Sequence, residues 1–475
     1  MDSHRSASLA EELGGEREGD VDSVRKVVTA SVIGTAIEWY DFFLYATAAA
    51  LVFNELFFPS SEPLTGTLAA FATYAVGFAV RPIGGIVFGH LGDKIGRKAV
   101  LVSTLLLMGT STFLIGCLPT FDAIGVWAPV LLVLLRMVQG FGAGAEFTGA
   151  ILMVVERTPA HRRGFFGSWP QTGVALGLIA ATGMFALVAT LPAAQLNSWG
   201  WRIPFLLSGA IVGVGLYIRL RLLETPAFRE LKAQHEVAKA PVLEVIRTAP
   251  KSLLAVMGAR FADNAVLYVG SAFVLAYAVE ALKLPKTVAL YGVLIASAVQ
   301  IVLIPVFGAL SDRIGRRPVY AGGAAFSMLF AFPFFWLLDT GSTALIWLAI
   351  ALLVGVAYAA MAGSQPAFFS ELFETRVRYS GIALARETTA VLGGASPLIA
   401  TALLAAGAVW GIGAFLAGMC AVTVISVLLT PETSGRRLTA SSGAGAARPA
   451  AARRAGGSVA APVPVGARGV RDAEH

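Results

Sequence analysis

Apolar residues run along this chain in stretches of roughly 20, a length that matches the hydrocarbon layer of a bilayer, broken by short clusters of Gly, Pro and charge. The stretches lie near 27–53, 64–88, 99–117, 125–149, 165–190, 203–220, 252–279, 288–309, 319–338, 343–363, 380–404 and 408–430. A large soluble core does not account for them, because core helices seldom stay apolar on every face over such a length. The pattern predicts an all-α integral membrane protein of twelve transmembrane helices in two pseudo-symmetric six-helix bundles, 27–220 and 252–430. Residues 1–26 form a head expected to lack structure. Residues 221–251 join the bundles by a loop whose charge-rich stretch, Glu224 to Glu244, reads as one or two surface helices. Beyond residue 431 the Ala, Gly, Ser, Pro and Arg composition cannot bury a core, so the tail is expected to be disordered.

A repeat supports the two-bundle division. Gly89-His-Leu-Gly-Asp93-Lys-Ile-Gly96-Arg97-Lys98 returns as Gly308-Ala-Leu-Ser-Asp312-Arg-Ile-Gly315-Arg316-Arg317, each time between the second and third stretch of its half. A weaker echo follows each sixth stretch, Glu224-Thr225-Pro226 and Pro431-Glu432-Thr433. Two similar bundles rocking about a central site are what alternating access requires.

Composition sharpens this reading. Only 14% of the 475 residues are charged against 56% hydrophobic, and the net charge is +7. If both termini are cytoplasmic, 29 of the 36 Lys and Arg fall on that side, counting Arg219 at the inner end of the sixth stretch, three fall outside (Arg202, Lys283, Lys286) and four lie deeper within the helices. That asymmetry orients the chain and explains the excess charge without a nucleic-acid partner; lipid at the inner face is the expected anionic neighbour. Cys117 and Cys420 sit in apolar helices, form no metal or disulfide pattern, and are expected to pack. No basic n-region and cleavage site precede the first helix, so it is expected to be retained.

The repeated loop resembles the signature of the major facilitator superfamily. Glu38-Trp-Tyr-Asp-Phe42, Arg81-Pro-Ile-Gly-Gly85, Arg136-Met-Val-Gln139-Gly140 running to Glu146, Arg221-Leu-Leu-Glu-Thr-Pro226, Gly258-Ala-Arg-Phe261 and Glu371-Leu-Phe-Glu-Thr-Arg-Val-Arg-Tyr-Ser-Gly381 resemble its metabolite:proton symporter branch, over essentially all of residues 25–434. That branch includes carriers of shikimate, 2-oxoglutarate, citrate, and proline or betaine. The resemblance implies proton-coupled uptake by alternating access, and it implies that Asp93 and Arg97 latch the outward-facing state, with Asp312 and Arg316 as counterparts. Gly89, Gly96, Gly308 and Gly315 share those gate motifs. Where members of the branch often carry Tyr-Gln in the eleventh span, this chain carries Arg386-Glu387.

Charges in the hydrocarbon layer are costly and usually functional. They are Glu38, Asp41, Arg81, Arg136, Glu146, Arg260, Asp263, Arg386 and Glu387. Glu38 and Asp41 share a helix face. The resemblance sets their helix beside that of Arg136, so Asp41 with Arg136 is expected to form a proton switch, with Glu38 as alternate carrier; a static buried pair is the competing reading. No histidine lies in any span to take the proton instead. Asp263 and Glu387 are further proton candidates. Arg136, Gln139, Tyr40, Arg260, Asn264, Tyr268 and Arg386 are candidates for the substrate site, although Arg260 with Asp263 could equally be an intrahelical salt bridge and Glu387 could neutralise Arg386. Arg81, eight residues before the loop motif, is expected to snorkel or to brace the cytoplasmic gate.

The expected substrate is a small organic acid, with a zwitterion as alternative. A drug:proton antiporter is disfavoured, because Gly173-Val-Ala-Leu-Gly177-Leu-Ile-Ala-Ala-Thr-Gly183 lacks the proline and paired glycines usual in the fifth span of such exporters. A non-transporting sensor would need an added signalling domain. An enzyme finds no support, since there is no nucleotide loop, zinc spacing or nucleophile elbow. Neither cofactor nor metal is expected: the proton-motive force would supply the energy, and the chain is expected to work as a monomer in the inner or plasma membrane.

Overall fold

Runs of Ala, Leu, Val and Ile leave the backbone no water to bond, so each segment satisfies its own amides as a helix. The computed structural model describes residues 2–60, 63–95, 97–144, 147–221 and 241–436. Its principal helices are α1 (Asp2–Leu51), α2 (Pro63–Ile95), α3 (Arg97–Cys117), α4 (Trp127–Arg157), α5 (Arg163–Val188), α6 (Arg202–Arg221), α7 (Pro250–Ala281), α8 (Lys286–Ile314), α9 (Arg316–Asp339), α10 (Thr343–Leu372), α11 (Thr375–Ala405) and α12 (Val409–Leu428). Among the described residues, eleven helices hold a segment long and apolar enough to cross a bilayer; in α3 the corresponding run, Val102–Cys117, is shorter. Prolines sit inside α2, α5, α8, α9, α10 and α11, as neighbouring transmembrane helices allow.

The packing repeats with a step of six. In the first half α1 lies on α5, α2 on α4 and α3 on α6; in the second half α7 lies on α11, α8 on α10 and α9 on α12. Two seams join the halves, α2 against α11 and α5 against α8, and these too exchange under the same step.

One expectation changes. The head continues α1 as helix from Asp2, rather than lacking structure. Its Ala, Leu, Glu and Arg are good helix formers, and no proline occurs before Pro59 to interrupt the extension. In the joining loop, Pro241–Thr248 is helical, whereas 222–240 and the tail from 437 lie outside the described residues.

The second copy of the loop motif shows why its glycine is needed. Gly315 ends α8 and begins α9 at φ 107°, a conformation that an L side chain rarely adopts. A Cβ there would also lie 2.6 Å from a Glu432 carboxylate oxygen. The ends carrying the α2–α3 and α8–α9 links are called the motif end below.

Candidate functional site

Arg136 is fully buried on α4, and its surroundings are aromatic. Its guanidinium carbon lies 4.5 Å from the Tyr45 ring centre, 4.7 Å from Tyr74, 4.9 Å from Phe42 and 5.7 Å from Phe78. Ring faces stabilise a desolvated cation by about 2 kcal/mol or more. Nη1 donates to Gln139 Oε1, one helical turn on, and Gln139 Nε2 donates to Thr112 Oγ1 at 2.8 Å. Nε and Nη2, the side-on fork of the guanidinium, have no hydrogen-bond partner among the described residues.

The expected Asp41–Arg136 pair is therefore corrected. Among the described residues no carboxylate comes within ion-pair distance of Arg136. Asp41 is buried near the Thr112 hydroxyl, Arg136 and Glu38. Rotation of α1 and α2 puts Phe42, Tyr45, Tyr74 and Phe78 around the cation instead of a carboxylate. The hydroxyl of Tyr40, the substrate candidate on α1, donates to the Pro204 carbonyl at 2.7 Å and ties α1 to α6.

The second half contributes a polar network. Arg260 Nη1 donates to Asp263 Oδ2 at 2.7 Å and to Gln365 Oε1 at 3.2 Å, and Nη2 donates to Asn264 Oδ1 at 3.0 Å. The intrahelical salt bridge is thus formed, with side chains 7% and 5% exposed. Gln365 Nε2 donates to Asp263 at 2.9 Å, and Gln171 of α5 donates to Gln365 at 2.8 Å across the seam. Tyr268 packs edge-on against Phe78 at 5.4 Å and Tyr74 at 6.1 Å, so it too meets the first half.

Arg81 is buried and does not snorkel. Its Nε donates to Glu387 Oε2 of α11 at 2.9 Å, while Arg386 Nε lies 3.7 Å from the other oxygen of Glu387. The expected neutralisation of Arg386 by Glu387 is therefore shared with Arg81. Between Arg260, Gln365, Ile382 and Arg386 a cavity of about 10 Å³ remains, room for roughly one water.

At the motif end, Asp312 accepts the free amides of Gly164 and Phe165 at the start of α5, at 2.8 and 2.9 Å, and receives Arg316 Nη1 at 2.6 Å. A carboxylate at a helix N-terminus meets both unpaired donors and the helix dipole. Two crossed ion pairs flank it: Arg163 with Glu371 at 3.6 Å, and Arg378 with Glu156 at 3.0 Å. Arg316 adds a contact to Glu371 at 3.4 Å. Glu432 accepts the amides of Arg316 and Arg317 that open α9, at 2.9 and 3.0 Å. Burial disfavours its charge, but the Ser434, Arg316, Arg317 and Thr433 amides outweigh burial and hold the carboxyl below the usual carboxylate range. At the opposite end Lys286 Nζ donates to the Leu51 carbonyl at 2.7 Å and Asn54 to Glu280 at 3.3 Å. With both ends tied and the centre filled, the chain stands occluded.

The sequence profile of the Major Facilitator Superfamily matches residues 31–395 and 253–461. The chain belongs to the major facilitator superfamily. It is 39% identical over 415 residues to the shikimate transporter of Escherichia coli (strain K12), covering 86% of this chain and 95% of that one. It is 37% identical over 401 residues to the glycine betaine/proline/ectoine/pipecolic acid transporter OusA of Dickeya dadantii (strain 3937), covering 81% and 78%. Among solved structures, the proton:xylose symporter XylE superposes with a TM-score of 0.69 over 88% of this chain and 98% of that one; at 19% identity the likeness is one of fold.

This superfamily transporter is thus a multi-pass membrane protein and not an enzyme. Of its first gate motif, only the helical backbone is described at Gly89, Asp93 and Arg97, and Gly96 and Glu146 fall outside the described residues. Sequence reasoning missed Thr112, Gln171 and Gln365, because it started from the charged residues in the spans and added only polar neighbours close to them in sequence. A usable signal was present, since Gln171 and Gln365 each adjoin a mid-helix proline, Pro170 and Pro366. The crossed ion pairs carried one as well: Glu156 and Arg163, like Glu371 and Arg378, stand seven residues apart in the two halves.

Proposed function

We propose that this transporter takes up a small organic carboxylate together with a proton, with both termini cytoplasmic and the motif end facing the cytoplasm. The observation that carries the reading is the unpartnered Nε–Nη2 fork of buried Arg136, which matches the two oxygens of a carboxylate. Arg260 is already paired with Asp263, so Arg136 alone is the anchor and the second half supplies shape and neutral hydrogen bonds. A quaternary ammonium would need an aromatic cage, and the rings that could form one already face Arg136. This favours an acid over a betaine, although relatives transport both kinds of solute.

Asp41 is the proton carrier in this reading, with Glu38 as alternate. The Thr112 hydroxyl accepts from Gln139 and has one proton to give, directed at the Met108 carbonyl at 3.0 Å. An ionised Asp41 competes for that proton, whereas a protonated Asp41 donates to Thr112 instead. The protonation state of Asp41 is thereby relayed through Thr112 and Gln139 to Arg136. The test is uptake into proteoliposomes of radiolabelled shikimate, 2-oxoglutarate, citrate and betaine, with and without an inward proton gradient. Gradient-driven accumulation of an acid, blocked by Arg136→Ala, is expected; accumulation of betaine alone, or of an acid without response to the gradient, would refute the proposal.

A further inference from the structure

Arg81 of α2 and Glu387 of α11 face each other across one of the two seams between the halves. Nε donates to Oε2 at 2.9 Å and Nη2 to Oε1 at 3.5 Å, so the side-on fork of the guanidinium holds both carboxylate oxygens. The side chains are 1% and 9% exposed, and the guanidinium lies 4.9 Å from the Phe42 ring and 5.3 Å from Phe78. Among the described residues, Glu387 is the carboxylate within ion-pair distance of Arg81. Arg386 approaches Glu387 as well, and Glu38 of α1 is felt by both arginines.

We propose that Arg81 and Glu387 form the ion-pair latch of the α2–α11 seam and set the balance between the occluded state and the state open at the motif end. The pair acts through closure of the seam and needs no contact with substrate. Rocking the halves apart separates the two groups and lets water reach both. A buried pair is worth little against two hydrated ions, but one buried charge without its partner is strongly penalised. Neutralising Glu387 strips Arg81 of its carboxylate, and neutralising Arg81 leaves Glu387 to Arg386 alone, so either change raises the cost of the closed seam. Neutralising both, or exchanging them, removes the mismatch within the pair. A pair that merely fixed helix register would change stability without selecting between the two states.

The test uses a Cys117→Ser, Cys420→Ala background carrying Ile382→Cys as reporter, since Ile382 is buried beside the small cavity on the motif-end side of Glu387. Proteoliposomes of known orientation are labelled from the motif end with a membrane-impermeant maleimide, and thermal unfolding is followed in parallel. Glu387→Gln and Arg81→Gln are expected to speed labelling about tenfold or more. The Arg81→Gln/Glu387→Gln double and the Arg81→Glu/Glu387→Arg exchange should return close to the parent rate. Single variants that aggregate while either double stays monodisperse and labels at the parent rate would point to a pair that only fixes helix register and would overturn the latch. Unchanged labelling in the singles, doubles as open as the singles, or doubles that aggregate along with them would overturn it.

Discussion

Replacing Arg136 by lysine separates charge from geometry at the proposed anchor. The ammonium keeps a cation within reach of the Tyr45, Tyr74 and Phe42 rings, which lie 4.5 to 4.9 Å from the guanidinium carbon. It cannot keep Gln139 and also present two parallel donors. A carboxylate held by Nε and Nη2 then loses one charge-assisted hydrogen bond, worth about 1.5–3 kcal/mol, or roughly 10- to 150-fold in affinity. Alanine removes the whole cation, so its loss should be at least as large. The alanine variant also leaves a cavity and should melt lower, whereas the lysine variant should melt near the parent. Affinity is measured in detergent with whichever of shikimate, 2-oxoglutarate or citrate the parent binds most tightly, and with its methyl ester. The ester should bind far more weakly than the acid to the parent, and about equally to Arg136→Ala. Lysine binding within about threefold of the parent would refute the fork, because a point charge would then suffice. Equal affinity of acid and ester in the parent would refute the anion anchor itself.

Other consequences can be checked in the same preparations. Asp41→Asn should abolish gradient-driven accumulation and leave counterflow exchange largely intact; full accumulation by that variant would remove Asp41 from the coupling. Gly308→Ala puts a Cβ 2.6 Å from both the Gly164 carbonyl oxygen and Ser168 Oγ, an overlap that exists only while α5 and α8 touch. Overpacking of this kind costs about 1–3 kcal/mol, so the closed seam should be disfavoured roughly 5- to 150-fold, read as faster maleimide labelling from the motif end; an unchanged rate would mean that the contact does not limit closure. Glu432, held below the usual carboxylate range, contributes stability at pH values above its unfolded pKa of about 4.3, and that contribution disappears as the pH falls through its folded value. Glu432→Gln should therefore melt lower than the parent at neutral pH, with the gap narrowing in acid; a gap independent of pH would show that the charge is not what caps α9.

Which charges lie buried in the apolar layer was legible, while which residues meet was not. The loop motif singled out Asp312, which accepts the free amides of Gly164 and Phe165 at the start of α5. Arg81 was expected to snorkel or to brace the cytoplasmic gate; instead of snorkelling it pairs with Glu387, 306 residues away, and no local pattern carries that pairing. Arg136 shows the deeper reason. Counting charges in an apolar layer suggests that each cation must find an anion, so Asp41 was the natural partner. The cost of burying a cation can also be met by ring faces, whose convergence depends on how α1 and α2 rotate against α4. The four intramembrane arginines then divide by physics. Arg81, Arg260 and Arg386 each have a carboxylate within 4 Å, at 2.9, 2.7 and 3.7 Å. Arg136 has aromatic rings and one amide, and its charge stays uncompensated by any anion among the described residues. A cation held in that way keeps its full attraction for an arriving carboxylate, whereas a paired one must first give up its partner. In the proposed uptake of a carboxylate, this asymmetry would let the first half anchor the ligand while the second, its arginines already paired, closes over it.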